Sequence, residues 1–491
     1  MDSTIALGID IGSTNIKAVL VDVASLEVLS EAAQPTPQDG ARLITDVEAL
    51  VGPLLAGGRR PPVCVGIASM AESGVPLGAG NRPLGAILRW DRRRDTAPLD
   101  ELAERMPPRE LFAATGVRLS GKVPLAIWAG LRVERPDLFA EMQRWAGVAD
   151  LVGLAMTGEL VTDHTLAART GAYRLPDTAL SSRFDAELLA LSGLAMEQLP
   201  EIRRPGERWP VTVAEGFAGI PGGTPVVIAG HDHAVGGYLA GARAPGDVLD
   251  SLGTAEAILV PLPSRPGAAR VEEIFDAGFG LVPTLPGDGL ALLGGSPGAG
   301  AMVAWWRNEM LDGMDADAVF AHAGELLPAA SGFTILPYPR GRQCPLPDPD
   351  ATTAVLPRRP ATTDEFVAAT LGLFEGLAFQ ARWMTDTALA LAGIAPSRVI
   401  AIGGPAEDVP WFALKAALLP VPLHRATIDR AVAVGAAVVA AERSGLLNGP
   451  PPAAQTRVVA PTPRDYEARF RDFVALATER TDDRKKESTT P

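Results

Sequence analysis

A chain of 491 residues is longer than one hydrophobic core supports, and its 47% hydrophobic content supplies two or more domains. With 44 basic against 58 acidic residues its formal charge is −14, which argues against a nucleic-acid or anionic-membrane surface and requires any phosphorylated ligand to meet locally placed positive groups. Only two cysteines occur, Cys64 and Cys344, and neither a basic leader ahead of an apolar run nor an apolar stretch of about 18 residues is present, so a reduced, soluble, cytoplasmic protein with buried thiols is expected.

Residues 5–22 place two Ile/Val/Leu-rich runs around Gly12-Ser13-Thr14-Asn15, and no helical period follows, which predicts a strand, a tight turn and a second strand. The turn is neither a Walker loop nor a dinucleotide fingerprint, because no Gly-Lys-Ser/Thr and no triple-glycine spacing opens a helix. It nevertheless carries phosphate-binding parts. Gly12 permits close backbone approach, Ser13 and Thr14 add hydroxyls, Lys17 adds a cation, and Asp10 suits a hydrated Mg2+. An ordinary core hairpin would read the same way.

Residues 45–55 carry a helical period, and 63–68 read as a buried strand that runs into Ser69-Met70-Ala71-Glu72-Ser73. Polar residues just past the carboxyl end of such a strand are where open α/β sheets meet ligands, so Glu72 is either a substrate contact or a solvated turn acid. A turn follows at 78–81, and 90–95 is a charged segment of surface pairs. Residues 96–210 form a helix-rich insertion, with helix formers at 123–132 and 140–156 and a polar loop at Thr162-Asp163-His164-Thr165. A strand returns at 224–229 and leads through Gly230-His231-Asp232-His233 into a small-residue helix at 234–242. Metal ligation by His231, Asp232 and His233 is disfavoured here, since alternate residues of a tight turn rarely converge on one ion.

Residues 247–260 echo the opening hairpin, with Gly253-Thr254 at the turn, and 226–232 resembles 399–405, each an apolar strand ending in glycine before a helix. Two like halves facing each other are the simplest reading. Gly294 to Gly300 leads toward Trp305-Trp306-Arg307, 333–338 is a short strand, and 339–360 is an irregular loop. Thr362-Thr363-Asp364-Glu365 is a capping box opening a helix to about residue 391, 431–441 is small enough to pack closely on a sheet or ligand, and 480–491 has the composition of a frayed tail.

Across residues 5–442 these motifs resemble the FGGY carbohydrate kinases, the xylulokinase, glycerol kinase and gluconokinase group of the actin-like ATPase superfamily. The resemblance implies an α/β fold of two actin-like (ribonuclease H-like) domains, mixed sheets flanked by helices around a central ATP/sugar cleft. On it, residues 1–244 are the N-terminal domain with the sugar site, the catalytic base and the first phosphate hairpin. Residues 245–460 are the nucleotide-binding C-terminal domain, and 461–491 a C-terminal helix and flexible tail. ATP and Mg2+ are the implied cofactors. The hairpin Asp10, Gly12, Ser13, Thr14, Asn15 and Lys17 would face the ATP phosphates, with Mg2+ at Asp10 and Asp232. Asp232 matches the catalytic base, Thr254 beside Gly253 lies near the γ-phosphate, and Gly300 lies where the family closes on the nucleotide. Gly403, Gly404 and Asp408 match the adenosine loop.

Thr115-Gly116, Trp128, Thr157-Gly158-Glu159, Glu375-Gly376 and Leu419-Pro420-Val421-Pro422 match the same order more loosely. The departures fall at the acceptor end. Met70-Ala71-Glu72 stands where xylulokinases carry Gln-Met-His, and Ala71-Glu72 where glycerol kinases carry Arg-Glu. Arg89-Trp90-Asp91 replaces Trp-Asn-Asp, and His233 follows the base. Ala71, Glu72, Asp91, Asp232 and His233 are therefore the expected substrate contacts. The resemblance implies an ATP-dependent kinase for a four- to six-carbon ketose or alditol, with a sugar acid such as gluconate as alternative and a non-catalytic sugar- and ATP-binding regulator as the reading from another class. A small molecule is the expected partner, not nucleic acid or membrane, and a homodimer is compatible.

Overall fold

The computed structural model describes residues 4–56, 60–92, 97–327, 331–404, 409–447 and 449–488. The chain divides into two compact units that interleave in sequence. One comprises Met1–Gly241, Gly280–Ala291 and Ile428–Ala454, the other Ala242–Phe279, Leu292–Thr427 and Gln455–Pro491. Residues 280–291 and 428–454 thus pack with the first unit, although they fall inside the continuous range 245–460 expected for the second domain.

In chain order the framework strands are β1 Ile5–Ile11, β2 Asn15–Asp22, β3 Glu27–Pro35, β4 Val65–Ser69, β5 Val226–His231, β6 Asp247–Leu252, β7 Glu256–Pro261, β8 Leu290–Ser296, β9 Arg398–Gly403, β10 Leu423–Ala426 and β11 Thr456–Val458. The helices that bear on function are α1 Val148–Thr157, α2 Asp232–Ala240, α3 Thr363–Ala392, α4 Val409–Leu418, α5 Ala431–Arg443 and α6 Glu467–Ser488.

The first sheet runs β3-β2-β1-β4-β5. β1 is antiparallel to β2 and parallel to β4, which is parallel to β5. The register sets Ile11 beside Ser69 and Ser69 beside His231, so the carboxyl ends of three parallel strands deliver 10–14, 69–72 and 231–233 to one edge. The second sheet contains β8-β7-β6-β9-β10-β11 in that order, again a hairpin with a parallel strand beside it. The expected internal repeat is therefore present as topology, with one correction. β9 pairs directly with β6 as β4 pairs with β1, so 399–403 corresponds to Val65–Ser69 and not to 226–232.

α5 covers the first sheet at very short range, which explains its run of Ala and Gly. A Cβ on Gly8 would lie 1.9 Å from the Ala433 carbonyl oxygen, and one on Gly66 would lie 1.9 Å from that of Ala436. Both neighbours are backbone and cannot rotate away. Gly66→Ala is accordingly expected to force α5 off β4 and to lower stability by roughly 1–3 kcal/mol, the usual cost of overpacking. A chemical-denaturation midpoint equal to wild type would refute this contact.

Three local expectations change. Residues 140–156 are not one helix, because Arg144–Gly147 pairs with Gly74–Leu77 as a strand before α1 begins. Thr162 to Thr165 is not a loop but a buried strand-to-helix junction. α6 continues to Ser488, past the point where fraying was expected. The capping box is present, Thr362 Oγ1 accepting from the Glu365 amide at 3.3 Å. Both cysteines are buried, and among the described residues no helix is long and apolar enough to cross a membrane.

Candidate active site

Asp10 is the penultimate residue of β1 and is 4% exposed, with Lys17 Nζ 3.3 Å from its Oδ2 across the hairpin. Opposite pairing of Asp10 with Lys17 follows from the antiparallel register. The turn is closed by the Gly12 amide donating to the Asn15 carbonyl at 3.0 Å, and Thr36 braces it from β3's end, donating its hydroxyl to the Gly12 carbonyl at 2.8 Å. Burial pushes the Asp10 carboxyl up to about 6, with the Asp232 charge adding and Lys17 opposing. Asp10 and Asp232 therefore sense one another, and a pair of carboxylates in partial burial is the donor set a hard cation such as Mg2+ takes.

Asp232 is the first residue of α2, where the unpaired amides and the helix dipole favour an anion. Its Oδ1 accepts from the His233 amide at 2.7 Å, and the side chain stays one-fifth exposed. His231 caps the helix from an extended conformation. Burial holds its imidazole down at about 4, so the ring is neutral at pH 7.

Glu72 sits in the left-handed region at φ 62°, and it is buried. It is not a solvated turn acid. Burial would raise its carboxyl, but Lys122, 3.5 Å from Oε2, and Arg169, bonded to Oε1, outweigh burial and hold it below the ordinary range. Sequence reasoning found this acid lacking the arginine beside it and missed both cations, which come from segments 50 and 97 positions away (122 − 72 and 169 − 72). Nothing in Gly121-Lys122 or Ala168-Arg169 marks them in the sequence. Glu72 and Arg169 both act on the His231 ring, so this cluster lies beside the head of α2.

Asp91 lies nearby through its neighbours: the Trp90 amide donates to Ser73 Oγ at 3.1 Å, and Lys122 stands over the Trp90 ring at 5.9 Å. Both Asp91 oxygens accept from Arg89, at 2.9 and 2.7 Å. Ala71 is buried in the wall of a cavity of about 40 Å³ behind 69–73, closed by Trp128, Asp150 and Thr162.

A buried hub fixes the strand end that leads into Asp232. Asp163 accepts from the Thr165 amide at 2.7 Å and from Arg443 Nη1 of α5 at 2.8 Å, with His164 Nδ1 3.0 Å away. The Thr165 hydroxyl donates to Asp163 and accepts from the His231 amide at 2.9 Å. Burial would raise Asp163, yet His164 and Arg443 drive it well below the carboxylate range.

In the second unit, Gly253, Thr254, Gly300, Gly403 and Gly404 come together at the carboxyl ends of β6 and β9. The Gly300 amide donates to the Gly253 carbonyl at 3.1 Å and the Ala301 amide to the Thr254 carbonyl at 2.9 Å. The Gly404 amide donates to the Leu252 carbonyl at 2.9 Å, and a Cβ on Gly403, whose φ is 71°, would lie 2.1 Å from that oxygen. Asp408 lies outside the described residues. Beneath the turn, Lys415 of α4 bonds Asp250 Oδ2 at 2.5 Å and Glu256, all three buried. This triad was not anticipated, although a lysine inside the apolar run of 409–418 was a signal for a buried partner.

Residues 59–237 match the N-terminal domain, and residues 251–442 the C-terminal domain, of the FGGY family of carbohydrate kinases. The hairpin at 5–22 precedes the first matched segment. A gluconokinase of Bacillus licheniformis is 24% identical over 375 residues, 70% of this chain and 69% of the relative. A xylulose kinase of Streptomyces rubiginosus is 26% identical over 467 residues, 93% and 91% of the two chains. Among solved structures, a gluconate kinase from Lactobacillus acidophilus superposes with a TM-score of 0.80 at 21% identity, covering 97% of each chain. A xylulose kinase from Rhodospirillum rubrum gives 0.80 at 24%, covering 96% and 98%. Two α/β units, each a hairpin continued by parallel strands, together with these likenesses define the actin-like ATPase class of fold. The chain belongs to the FGGY family of carbohydrate kinases.

Proposed function

We propose that the chain transfers the γ-phosphoryl group of ATP to a hydroxyl of a small polyhydroxylated acceptor, a four- to six-carbon ketose or alditol. The observation that carries this reading is Asp232, a partly exposed carboxylate at a helix N-terminus beside Asp10 and the Glu72 cluster. Asp232 accepts the proton of the acceptor hydroxyl as that oxygen bonds to phosphorus and the bond from phosphorus to the ADP oxygen breaks. Glu72, His233 and Asp91 orient the acceptor, and Ala71 lines it. Positioning and charge stabilisation carry most of such a transfer. In the first unit the turn residues Ser13, Thr14 and Asn15 with Lys17, and in the second unit the turn at Gly253-Thr254 beside Gly300, each offer groups suited to phosphate oxygens, the Gly12, Gly253 and Gly300 amides being committed within their own turns, while Gly403 and Gly404 suit the adenosine end. Asp10 and Asp232 would hold a hydrated Mg2+, whose retained waters leave Asp232 able to accept a proton and which would supply charge neutralisation to the phosphates when bound.

A second reading, a sugar acid such as gluconate, is favoured by one observation. Glu72 is outnumbered by Lys122 and Arg169, so the cluster carries a net positive charge suited to a carboxylate. Glu72→Gln separates the two. For a neutral acceptor it removes a charge-assisted hydrogen bond and should raise the acceptor KM by roughly 10–100-fold, with the ATP KM little changed. For an aldonate it removes a repelling charge and should lower the acceptor KM. Equal changes in both KM values would take Glu72 out of the acceptor site. The deciding experiment is an ATP-coupled screen across ketoses, alditols and aldonates. Saturable turnover with one class supports the kinase reading, and ATP and sugar binding without turnover on any member would instead support a regulator.

A further inference from the structure

The head of α2 gathers more metal-binding chemistry than a general base requires. His231 Nε2 lies 3.2 Å from Asp232 Oδ1, and His233 Nε2 lies 3.8 Å from the same oxygen. One ligand atom from each of the three residues falls within 4.8 Å of the others, and among the described residues no other group of three His, Cys, Asp or Glu ligands does so. Three successive residues cannot converge in a regular strand, whose side chains alternate. Here the backbone changes from extended at His231 to helical at Asp232, and this brings the two imidazoles to the same side, edge to face with ring centres 5.1 Å apart.

Two imidazoles and a carboxylate are the donor set of catalytic zinc sites and of facial triads. With zinc bonds of about 2.0–2.2 Å, tetrahedral ligands stand roughly 3.3 Å apart. The first pair is already at that spacing. Closing the others takes small rotations of Asp232 and His233, whose side chains are 21% and 26% exposed and so have room to turn. Mg2+, which prefers oxygen donors, gains nothing from the imidazoles.

We infer that His231, Asp232 and His233 form a binding site for a borderline divalent transition-metal cation, exemplified by Zn2+, and that its occupancy inhibits the enzyme by engaging the base. The inhibitory half rests on the proposed kinase reading, because a carboxylate oxygen bound to zinc cannot accept the acceptor's proton. The binding half does not. Competing soft ligands are few, since the chain has 5 His and both cysteines are buried.

Calorimetric titration of the untagged, chelator-treated full chain with Zn2+ alone should give a single saturable site. His233→Gln and His231→Gln should each weaken it by at least the roughly 10–100-fold that loss of an outer-shell partner costs. His322→Gln, on an exposed helical surface, should leave it unchanged. Because His231 is buried, its variant counts only with a wild-type circular dichroism spectrum; otherwise His233→Gln decides. No saturable binding to wild type, or undiminished affinity in the folded variants, overturns the site. At saturating Mg-ATP, Zn2+ should raise the acceptor KM reversibly on EDTA treatment. Competition with ATP alone overturns the inhibitory half, whereas absence of any turnover before Zn2+ is added overturns the kinase reading and leaves the binding result to stand or fall by itself.

Discussion

Asp232→Asn is expected to lower kcat for sugar phosphorylation by roughly 10²–10⁴-fold, the contribution of a positioned general base, while leaving the ATP KM near wild type. The substitution is nearly isosteric. The amide oxygen can still accept from the His233 backbone amide, so the helix and the ends of β4 and β5 should hold their places. What the amide cannot do is accept a proton from the acceptor hydroxyl. The measurement is steady-state kinetics with both substrates varied, alongside a thermal melt. A variant that keeps most of its turnover removes Asp232 from the chemistry, and one that loses ATP affinity in parallel makes its role one of phosphate binding.

The second large effect is on stability. Lys415→Met is expected to cost about 3–5 kcal/mol, the usual penalty for stranding a buried charge, and to lower the melting temperature by several degrees. Burial and Asp250 push the Glu256 carboxyl up, with Lys415 opposing, so Glu256 keeps its proton and Asp250 is the charge left uncompensated. Adding Asp250→Asn should restore part of the loss. The sign of the pH effect follows from the same group. Since the folded-state value of Glu256 lies above its unfolded value, its contribution to stability is full below the ordinary carboxylate range and is lost as the pH rises through the raised folded value. Glu256→Gln should flatten that fall, as read from denaturation midpoints across neutral and mildly alkaline pH. Full stability in Lys415→Met would mean that the triad is not buried as described.

Much of the framework was legible in the sequence because its signals are local. The turn at 12–15, the strand ends at Gly230 and Gly403 and the cap at Thr362 are each set by neighbours in the chain, and the echo of the first hairpin at 247–260 gives the repeat. The pairing of 226–232 with 399–405 misled because both are buried parallel strands ending in glycine, and composition cannot tell the first parallel neighbour of a hairpin from the second. The acceptor end was the least legible. Glu72 is defined by Lys122 and Arg169, and the hub at Asp163 by Arg443, 280 positions on. Such pairs are made by tertiary packing and leave no spacing to read. A tight-turn reading of 230–233 argues against the convergence of His231, Asp232 and His233, which arises because a helix begins between the first and second of them.

The most direct measurement is transfer of a radiolabelled γ-phosphoryl group from ATP to a panel of ketoses, alditols and aldonates, with wild type and Asp232→Asn in parallel. The kinase account requires label in a sugar ester with wild type and its near-complete loss in the variant. Label released only as inorganic phosphate, or equal labelling of the sugar by the variant, would contradict it.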